Sequence, residues 1–366
     1  MKFTCNRHKL SDAVSNVQRA VAPKTVKPIL EGILIKAENG TITLTGYNTE
    51  MCMQTTMDAR IEKEGSSVIT AKLFSEIIRK MPEDSITIEV DEKNIVYITS
   101  GKSNYKITGM PAEDYPELPV IRSRDIIKMD AQILSSMIRQ TIYAISENDA
   151  KPAYTGSLFE IEEGNMRIVS VDGIRLAIRT EKIDYDGEKS FIVPGRSLQE
   201  VLRLITPDTE TAEIATAGRH IIFRMGEYSL ISKLLETEFI SYRSAIPTTH
   251  TTELTVNTRK FISTVERMSL LLTDKMKSPI RCYIDENLIT TTCNTMYGQG
   301  RDEIEVEMQG ESVEIGFNNR YLLDALKNSD TDEVKIYLSG SVKPMVIKPT
   351  EGDSFLFILV PMRLAR

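Results

Sequence analysis

The sequence is poor in the residues from which metal and redox sites are usually built. Its 366 residues include only three histidines and four cysteines. No HExxH motif and no closely spaced Cys/His cluster occurs. Cys5, Cys52, Cys282 and Cys293 include no close pair, which favours free, buried thiols in a cytosolic protein. We therefore expect no catalytic residue, no metal, no cofactor and a cytoplasmic location.

Long apolar runs are absent as well. No stretch of about 18 apolar residues occurs, so the sequence predicts no membrane-spanning helix. The opening residues MKFTCNRHKL are not apolar enough for a signal peptide. Hydrophobic residues nevertheless make up 41% of the chain, which is enough for several cores. The formal net charge of −7 argues at first against nucleic acid as a partner.

What the sequence does contain is a threefold internal repeat. A strand followed by an amphipathic helix occurs as VITAKLFSEIIRKM, FIVPGRSLQEVLRLI and VEIGFNNRYLLDALKN. Equivalent positions in successive segments are 124 residues apart. One such set is Lys72, Arg196 and Arg320, and another is Phe74, Leu198 and Leu322. Because equal spacing of this kind marks a repeated architecture, three domains are predicted, at 1–120, 128–247 and 253–366.

Each repeat has the pattern of an α+β domain. Apolar residues at i, i+3 or i+4 and i+7 predict one helix near its start and a second in the segments above. About eight strands of alternating character accompany them, which is typical of antiparallel sheets that bury one face. Equivalent core positions of the first helix are predicted at Leu10, Leu134 and Phe261. Equivalent hairpin turns are predicted at Asn48, Asp172 and Asn294.

The positive charge is concentrated in the helices. The six predicted helices with their lead-ins sum to a formal charge of +9, which leaves −16 for the rest of a chain whose total is −7. The high helix propensity of Lys and Arg would explain this, but Glu is an equally good helix former and is scarce in these segments. The alternative is one positive surface on a negative protein, and such a surface binds phosphates without reading sequence.

Helix spacing limits how such a surface could enclose a duplex. Packed helices lie about 10 Å apart, so a ring lined by six of them would leave roughly 9 Å clear. Twelve would leave about 28 Å, enough for a duplex of roughly 20 Å and its water. A ring therefore needs two chains, and closed cyclic symmetry is the usual way to satisfy the end surfaces of such a chain.

Several local motifs resemble the beta sliding clamp family of bacterial DNA polymerase III, over essentially the whole chain. They are the start MKFT, the KPIL segment from Lys27, the SVDGIRLA segment from Ser170 and the ending VPMRL from Val360. The resemblance implies three repeated clamp domains that form half of a closed ring. It implies a head-to-tail homodimer that encircles double-stranded DNA, slides on it and tethers the replicative DNA polymerase, the clamp loader and repair proteins through short linear motifs.

The resemblance also implies three sets of site residues. The positions that match its peptide-binding pocket are Val171, Gly173, Ile174, Arg175, Leu176, Ile240, Ala245, Met345, Ile358, Pro361, Met362 and Arg363. The positions that match its dimer interface are Lys72, Tyr105, Ile107, Leu270, Leu271, Asp302, Glu303 and Glu305. The DNA-binding positions are Lys24, Lys72, Asn148 and Lys151, to which the helix charges add Arg79, Lys80, Arg196, Arg203, Arg267 and Lys275.

The chain departs from the family pattern at a few of these places. Ile174 stands for a histidine, Ile240 for a proline and Ser244 for a basic residue, while Pro152 and Ala153 replace paired tyrosines. Two other hypotheses remain open from the sequence. One is an open nucleic-acid-binding scaffold that never closes, and the other is a carboxylate-metal nuclease that uses Asp302, Glu303 and Glu305.

Overall fold

The structure is a computed structural model that describes residues 1–119, 125–148, 150–272 and 278–364. The chain divides into two compact units, whose boundaries all fall within the second repeat. One unit holds residues 1–135 and 196–234, and the other holds residues 136–195 and 235–366. Each unit therefore combines one whole repeat with part of the second. None of the described helices is long and apolar enough to cross a membrane.

The first repeat consists of two helices and nine strands. Its helices are α1 (Arg7–Val17) and α2 (Ala71–Lys80). Its strands are β1 (Lys2–Asn6), β2 (Gly32–Glu38), β3 (Thr41–Tyr47), β4 (Met51–Asp58), β5 (Arg60–Lys63), β6 (Gly65–Thr70), β7 (Ser85–Val90), β8 (Ile95–Ser100) and β9 (Ser103–Thr108). The Asn6 side chain accepts a hydrogen bond from the Lys9 amide at 3.0 Å, so β1 ends and α1 begins at one capping residue.

The second repeat consists of two helices and eight strands. Its helices are α3 (Ala131–Ile142) and α4 (Gly195–Leu204). Its strands are β10 (Ile126–Asp130), β11 (Gly156–Glu162), β12 (Asn165–Val171), β13 (Arg175–Lys182), β14 (Lys189–Pro194), β15 (Thr211–Ala217), β16 (His220–Met225) and β17 (Tyr228–Lys233). Asp130 caps α3 by accepting hydrogen bonds from the Gln132 and Ile133 amides at 2.8 and 2.9 Å.

Over its described residues, 252–272 and 278–364, the third repeat again has two helices and nine strands. Its helices are α5 (Thr258–Ser269) and α6 (Asn319–Lys327). Its strands are β18 (Thr252–Asn257), β19 (Ile280–Asp285), β20 (Leu288–Thr295), β21 (Gly298–Glu305), β22 (Glu307–Gly310), β23 (Val313–Phe317), β24 (Glu333–Leu338), β25 (Met345–Pro349) and β26 (Phe355–Leu359). Asn257 and Asn318 cap the two helices. The predicted repeat of two helices and roughly eight strands is confirmed.

The strands form four antiparallel sheets, two of which join strands from different repeats. One unit holds a five-stranded sheet (β5-β1-β7-β8-β9) and an eight-stranded sheet (β10-β15-β16-β17-β4-β3-β2-β6). The other holds a nine-stranded sheet (β14-β11-β12-β13-β26-β25-β24-β18-β22) and a four-stranded sheet (β21-β20-β19-β23). The two junction ladders are β4 with β17 and β13 with β26. At each of them, main-chain hydrogen bonds continue a sheet from one repeat into the next.

The predicted core positions of the repeat are confirmed. Leu10, Leu134 and Phe261 are at most 3% exposed. The second-helix positions Phe74, Leu198 and Leu322 are fully buried. The basic residues two positions before them are exposed. The same helix face therefore meets the sheet in all three repeats, because its apolar residues recur with the helical period.

The hairpin turn is equivalent in two repeats and different in the third. The Asn48 side chain accepts hydrogen bonds from the amides of Glu50 and Met51 at 3.0 and 2.8 Å. Asp172 makes the same turn, with the amides two and three residues later at 2.8 and 2.9 Å. The prediction for Asn294 was wrong, because it lies within β20 opposite Gln299. The loop of the third hairpin is one residue shorter than in the other two repeats, because β21 begins only three positions after β20 ends.

All four cysteines are free and buried, as the sequence indicated. Burial raises the pKa of the Cys5, Cys52 and Cys282 thiols to about 12. These thiols are therefore neutral and unreactive near pH 7, since the thiolate is the reactive form.

The core positions predict a sharp contrast in stability between two neighbouring residues of α4. Leu198→Ala should lower the free energy of unfolding by about 2–5 kcal/mol, because it opens a cavity under the helix. Arg196→Ala, on the exposed side of the same helix, should change it by no more than about 0.5 kcal/mol. Urea denaturation followed by circular dichroism measures both. Equal losses for the two variants would contradict the assignment of the buried face.

Candidate functional site

One face of the nine-stranded sheet carries a compact group of apolar side chains, which we call the apolar cluster. Its buried members are Leu158, Val169, Val171, Leu176, Ile178, Ile192, Tyr242, Val346 and Ile358. Its partly buried members are Tyr154, Leu235, Phe239, Ile240, Ile246, Tyr337 and Leu356. Of the predicted pocket residues, Val171, Leu176, Ile240 and Ile358 belong to this cluster. Side chains from β12, β13, β25 and β26 thus meet the segment that follows β17 on one surface.

Most of the remaining predicted pocket residues lie at the turn into β13 and in the segment after β26. Gly173 has a φ of +95°, a conformation in which a side chain would be strained. Ile174 is 45% exposed, and its carbonyl accepts a hydrogen bond from the Val360 amide at 2.9 Å. Met362 is anchored by a hydrogen bond from its amide to the Gly316 carbonyl at 2.8 Å. The turn and the C-terminal segment are therefore held together by main-chain contacts.

Two predicted pocket positions differ from the rest in their placement. Met345 is 2% exposed and packs in the core beneath the helices, on the opposite face of the sheet. Its neighbour Val346 is the residue that joins the apolar cluster. The strand period of two explains the error, because a shift of one residue moves a side chain to the other face. Ala245 ends a short 3-10 turn, Tyr242–Ala245, and is exposed.

Arg175 is the most highly connected charged side chain at this surface. Its guanidinium donates to Asp172 at 2.9 Å and to Asp324 of α6. The same group lies 4.4 Å from the centre of the Tyr321 ring and 5.5 Å from that of Tyr143. Burial raises the pKa of Tyr143 well above its usual value, so this ring stays neutral under the cation. Arg175 therefore ties the turn before β13 to α6.

A second polar network fixes the segment that follows β17. The Tyr242 hydroxyl donates to the carboxylate of Glu160, and Arg243 donates to the same carboxylate at 3.1 Å. Burial, followed by the nearby Glu160, raises the pKa of Tyr242 to about 12. Sequence reasoning missed Tyr242 and Glu160. The signal for Glu160 lay in its position on a strand between two apolar residues, Phe159 and Ile161.

The predicted DNA-binding residues are mostly exposed cations without an internal partner. Within the described ranges, six of them make no ion pair: Lys24, Lys72, Arg79, Lys80, Lys151 and Arg196. Lys151 lies over the Tyr154 ring at 4.9 Å. Arg203 instead contacts Glu200 at 2.5 Å, and Arg267 contacts Asp302, so both of these charges are already compensated. Asn148 caps its own loop, since its side chain accepts from the Ala150 amide. Lys275 lies outside the described residues.

The predicted interface residues lie on two edge strands and beside them. Tyr105 and Ile107 belong to β9, the edge of the five-stranded sheet, and Tyr105 is 46% exposed. Leu270 is 84% exposed just after α5, and Leu271 follows it. Lys72 is exposed on α2. Large apolar side chains at a strand edge are typical of a surface that another chain covers.

The carboxylates of β21 do not converge on one point. Asp302 bonds to Arg267 of α5, whereas Glu303 bonds to Arg301 on the same strand. Because successive side chains of a strand point to opposite faces, Asp302 faces away from Glu303 and Glu305. This geometry disfavours the nuclease hypothesis, which needs all three around one metal.

Comparison with known proteins identifies the architecture. Three domain models of one family match the chain in order. The N-terminal domain of the DNA polymerase III beta subunit matches residues 1–119, its central domain residues 128–240, and its C-terminal domain residues 243–363. The chain belongs to the DNA polymerase III beta subunit family. The expected α+β fold of three clamp domains is thereby confirmed.

Individual beta subunits resemble the chain over its full length. The beta sliding clamp of Halalkalibacterium halodurans is 31% identical over 99% of this chain and 100% of its own. That of Bacillus subtilis is 29% identical over 99% and 100%. Among solved structures, a putative DNA polymerase III beta subunit from Eubacterium rectale has a TM-score of 0.95 and 32% identity, with 99% of each chain covered. The Bacillus subtilis DNA polymerase sliding clamp has a TM-score of 0.97 and 28% identity, with 100% of each covered.

The contacts of Arg175 predict that lysine cannot replace it in this beta subunit. Arg175→Lys keeps the charge but loses the fork that reaches two carboxylates and the stacking on Tyr321. We expect the free energy of unfolding to fall by about 1–3 kcal/mol, as measured by urea denaturation. Lys182→Ala, at the exposed end of the same strand, is the control and should be nearly neutral. A neutral Arg175→Lys variant would show that the network contributes nothing beyond its charge.

Proposed function

We propose that the protein acts as a DNA sliding clamp in which two copies close into a ring around duplex DNA. The function as a sliding clamp follows from its family. The observation that best supports the ring is that two edge strands each have one side without a partner strand. In the described part of the chain, β9 and β21 each pair with a single neighbour. Their equivalents in the repeat pair with each other at both junctions, β4 with β17 and β13 with β26.

The missing third junction would therefore form between β21 of one copy and β9 of a second. A head-to-tail contact of this kind closes when the second copy repeats it, and closure leaves no free edge. The exposed Leu270 and the partly buried Leu271, which lies near Gly300 of β21, would then be covered. Lys72 lies in the same repeat as β9, as the interface set requires.

The register of this junction follows from the two that are present. The central pairs of the existing ladders are Met53 with Leu230 and Ala177 with Phe357. Gly300, which lies opposite Cys293, occupies the same position in its repeat as Met53 and Ala177 occupy in theirs. Tyr105, which lies opposite Ile98, occupies the same position as Leu230 and Phe357. Tyr105 of one copy should thus lie opposite Gly300 of the other. An antiparallel ladder then places Lys102 opposite Glu303, so that charges of opposite sign meet across the strands.

A disulfide cross-link tests this register. The same ladder places Lys106 opposite Gln299, and both are exposed. Directly opposed residues have Cα atoms about 4.5–5.5 Å apart, within the range of a disulfide. The variant Lys106→Cys with Gln299→Cys should oxidise to a covalent dimer of twice 41.2 kDa on a non-reducing gel. The four native cysteines are buried and give little background.

The matched control shifts one cysteine by two residues on the same face. Lys106→Cys with Arg301→Cys places the thiols on a diagonal of about 7–8 Å, which is too long for a disulfide. It should cross-link far less. Equal cross-linking of the two variants, or a wild-type mass that stays near 41.2 kDa at micromolar concentration, would argue against the ring.

DNA would be held by topology together with weak phosphate contacts. Exposed, unpaired cations attract the duplex without reading its sequence, and contacts mediated by water allow diffusion along it. The proposed contacts are Lys24, Lys72, Arg79, Lys80, Asn148, Lys151 and Arg196. Arg203 and Arg267 contribute less, because each already contacts a carboxylate. No catalytic step is needed, and opening of the ring would fall to a clamp loader in the bacterial cytoplasm.

Retention on plasmid DNA distinguishes a closed ring from an open scaffold. After loading by its clamp loader, the protein should co-elute with a nicked circular plasmid and be lost when the plasmid is linearised. The variant with Lys72→Ala, Arg79→Ala and Lys80→Ala should be retained on the circle almost as well, because closure and not affinity holds it. Its loading should be weaker at low salt and should fall less steeply as salt rises than that of a control with paired cations replaced, Lys36→Ala and Lys335→Ala, because fewer counterions are released. Equal retention on linear and circular DNA would favour the open scaffold.

The apolar cluster is the proposed docking surface for partners. A rim of the exposed Ile174 and the half-buried Pro361 and Met362, next to buried apolar side chains, suits short peptide motifs, because flexible apolar side chains adapt to several ligands. A clamp structure from Pseudomonas aeruginosa, with a TM-score of 0.94 and 26% identity over 100% of each chain, is described as bound to griselimycin. We propose that the replicative polymerase, the clamp loader and repair proteins dock on this chain's cluster through linear motifs.

A further inference from the structure

A separate cavity opens on the same face of the nine-stranded sheet as the apolar cluster. Its volume is about 270 Å³. Six of the residues that line it have apolar or aromatic side chains, and they are Ile246, Pro247, Tyr337, Pro344, Val346 and Leu356. None of these residues belongs to the set that matches the family's pocket. Four of them are nevertheless members of the apolar cluster, namely Ile246, Tyr337, Val346 and Leu356. The cavity and the docking surface are thus parts of one continuous apolar region.

A single row of side chains connects the two sites across the strands. Leu176 on β13 lies opposite Ile358 on β26, Ile358 lies opposite Val346 on β25, and Val346 lies opposite Tyr337 on β24. Directly opposed residues share a face of the sheet. Neighbouring strands are about 4.8 Å apart, so the row from Leu176 to Tyr337 spans about 14 Å. An extended peptide of about four residues covers that distance.

The size of the cavity fits one side chain. Pockets for small-molecule ligands usually hold about 300–1,000 Å³, so this cavity falls just below that range. An aromatic ring is the side chain that offers the most apolar contact area in such a space. The strand residues of the wall are held by their ladder, and the Ser339 hydroxyl donates to the Thr249 carbonyl at 2.7 Å across one end. The cavity is therefore largely formed before anything binds.

The polar groups at the rim are already engaged. The Lys348 ammonium lies 3.0 Å from the Asp353 carboxylate. The His250 ring lies 4.8 Å from that of Tyr337, and its Nε2 lies 3.8 Å from the Glu253 carboxylate. Lys348 and His250 line the cavity, but each already lies beside a carboxylate. An apolar occupant thus suits the cavity better than an ion or an acidic side chain.

We propose that this cavity is a second anchor site, which takes an aromatic or large aliphatic side chain of the docking segment about four residues from the side chain bound at Leu176 and Ile358. The inference deepens the proposed function and rests on it, because the first anchor is the proposed docking pocket. Continuity of the apolar cluster across the row is the observation that carries it. Partners whose segments hold both anchors would bind more tightly than partners with the first alone.

The test uses the full-length dimer and a phage-displayed library of random 12-residue peptides as the probe. Selected peptides should share two apolar positions three to five residues apart. In synthetic versions, alanine at the second position should weaken binding about tenfold by fluorescence anisotropy, since it withdraws one large apolar side chain from the cavity. Selected peptides without a second apolar position at this spacing would overturn the proposal.

Two protein variants test whether the second apolar position of the peptide binds in this cavity. Thr249→Trp fills the rim of the cavity and should reduce the tenfold difference between the two peptides to less than about twofold. Thr251→Trp adds the same side chain two residues further on, at an exposed position that does not line the cavity, and should leave the difference intact. A tenfold difference that persists in Thr249→Trp would overturn the second anchor.

A third variant separates this outcome from a failure of the docking pocket itself. Ile174→Arg, at the exposed mouth of the proposed pocket, should weaken both peptides alike. If neither peptide responds to Ile174→Arg, the docking pocket is misplaced and the second anchor falls with it. If both respond but the second position never matters, only the second anchor is wrong.

Discussion

Main-chain pairing between the edge strands of successive repeats is the interaction on which the rest of this structure depends. β4 joins β17 and β13 joins β26, so each of two sheets runs from one repeat into the next. Such ladders satisfy backbone groups that would otherwise stand exposed at a strand edge. They also fix the relative register of the repeats they join, because every hydrogen bond along the edge must be made at once. The same rule leaves β9 and β21 each with one unsatisfied edge, which is where we propose that a second copy of the chain pairs.

The repeated frame carries different side chains at its two junctions. At the β13–β26 junction the sheet face holds the large apolar cluster with an exposed rim. At the β4–β17 junction the corresponding cluster is smaller, with Cys52, Ala215, Ile222 and Ile231 buried beside Leu118. On the four-stranded sheet the positions facing away from α5 are polar or charged, among them Arg281, Thr292 and Arg301. One backbone arrangement thus recurs at both junctions, and a change of side chains gives only the β13–β26 junction a large apolar cluster.

Electrostatics divides the charged residues of this acidic chain into two groups. Cations such as Arg175 and Arg203 are engaged by carboxylates, and Arg175 thereby ties the turn before β13 to α6. Others, such as Lys72, Arg79 and Lys80, remain exposed and unpaired within the described ranges. Only the second group could bind DNA phosphates without first breaking an ion pair, because a cation that already has a carboxylate partner must lose it to bind another anion. The net charge of the chain is therefore a poor guide to what its helices bind.

The sequence by itself determined the threefold repeat, the α+β class and the buried positions Leu10, Leu134 and Phe261, because helical and strand periodicity are local and survive without knowledge of contacts. It also carried the motifs that resemble the family. Only the tertiary structure decided that Val346 and not Met345 faces the apolar cluster, that Asn294 lies in a strand, and that Arg267 is bound to Asp302. Strand register and ion pairing are set by residues far apart in sequence, and a displacement of one residue reverses which face a side chain occupies.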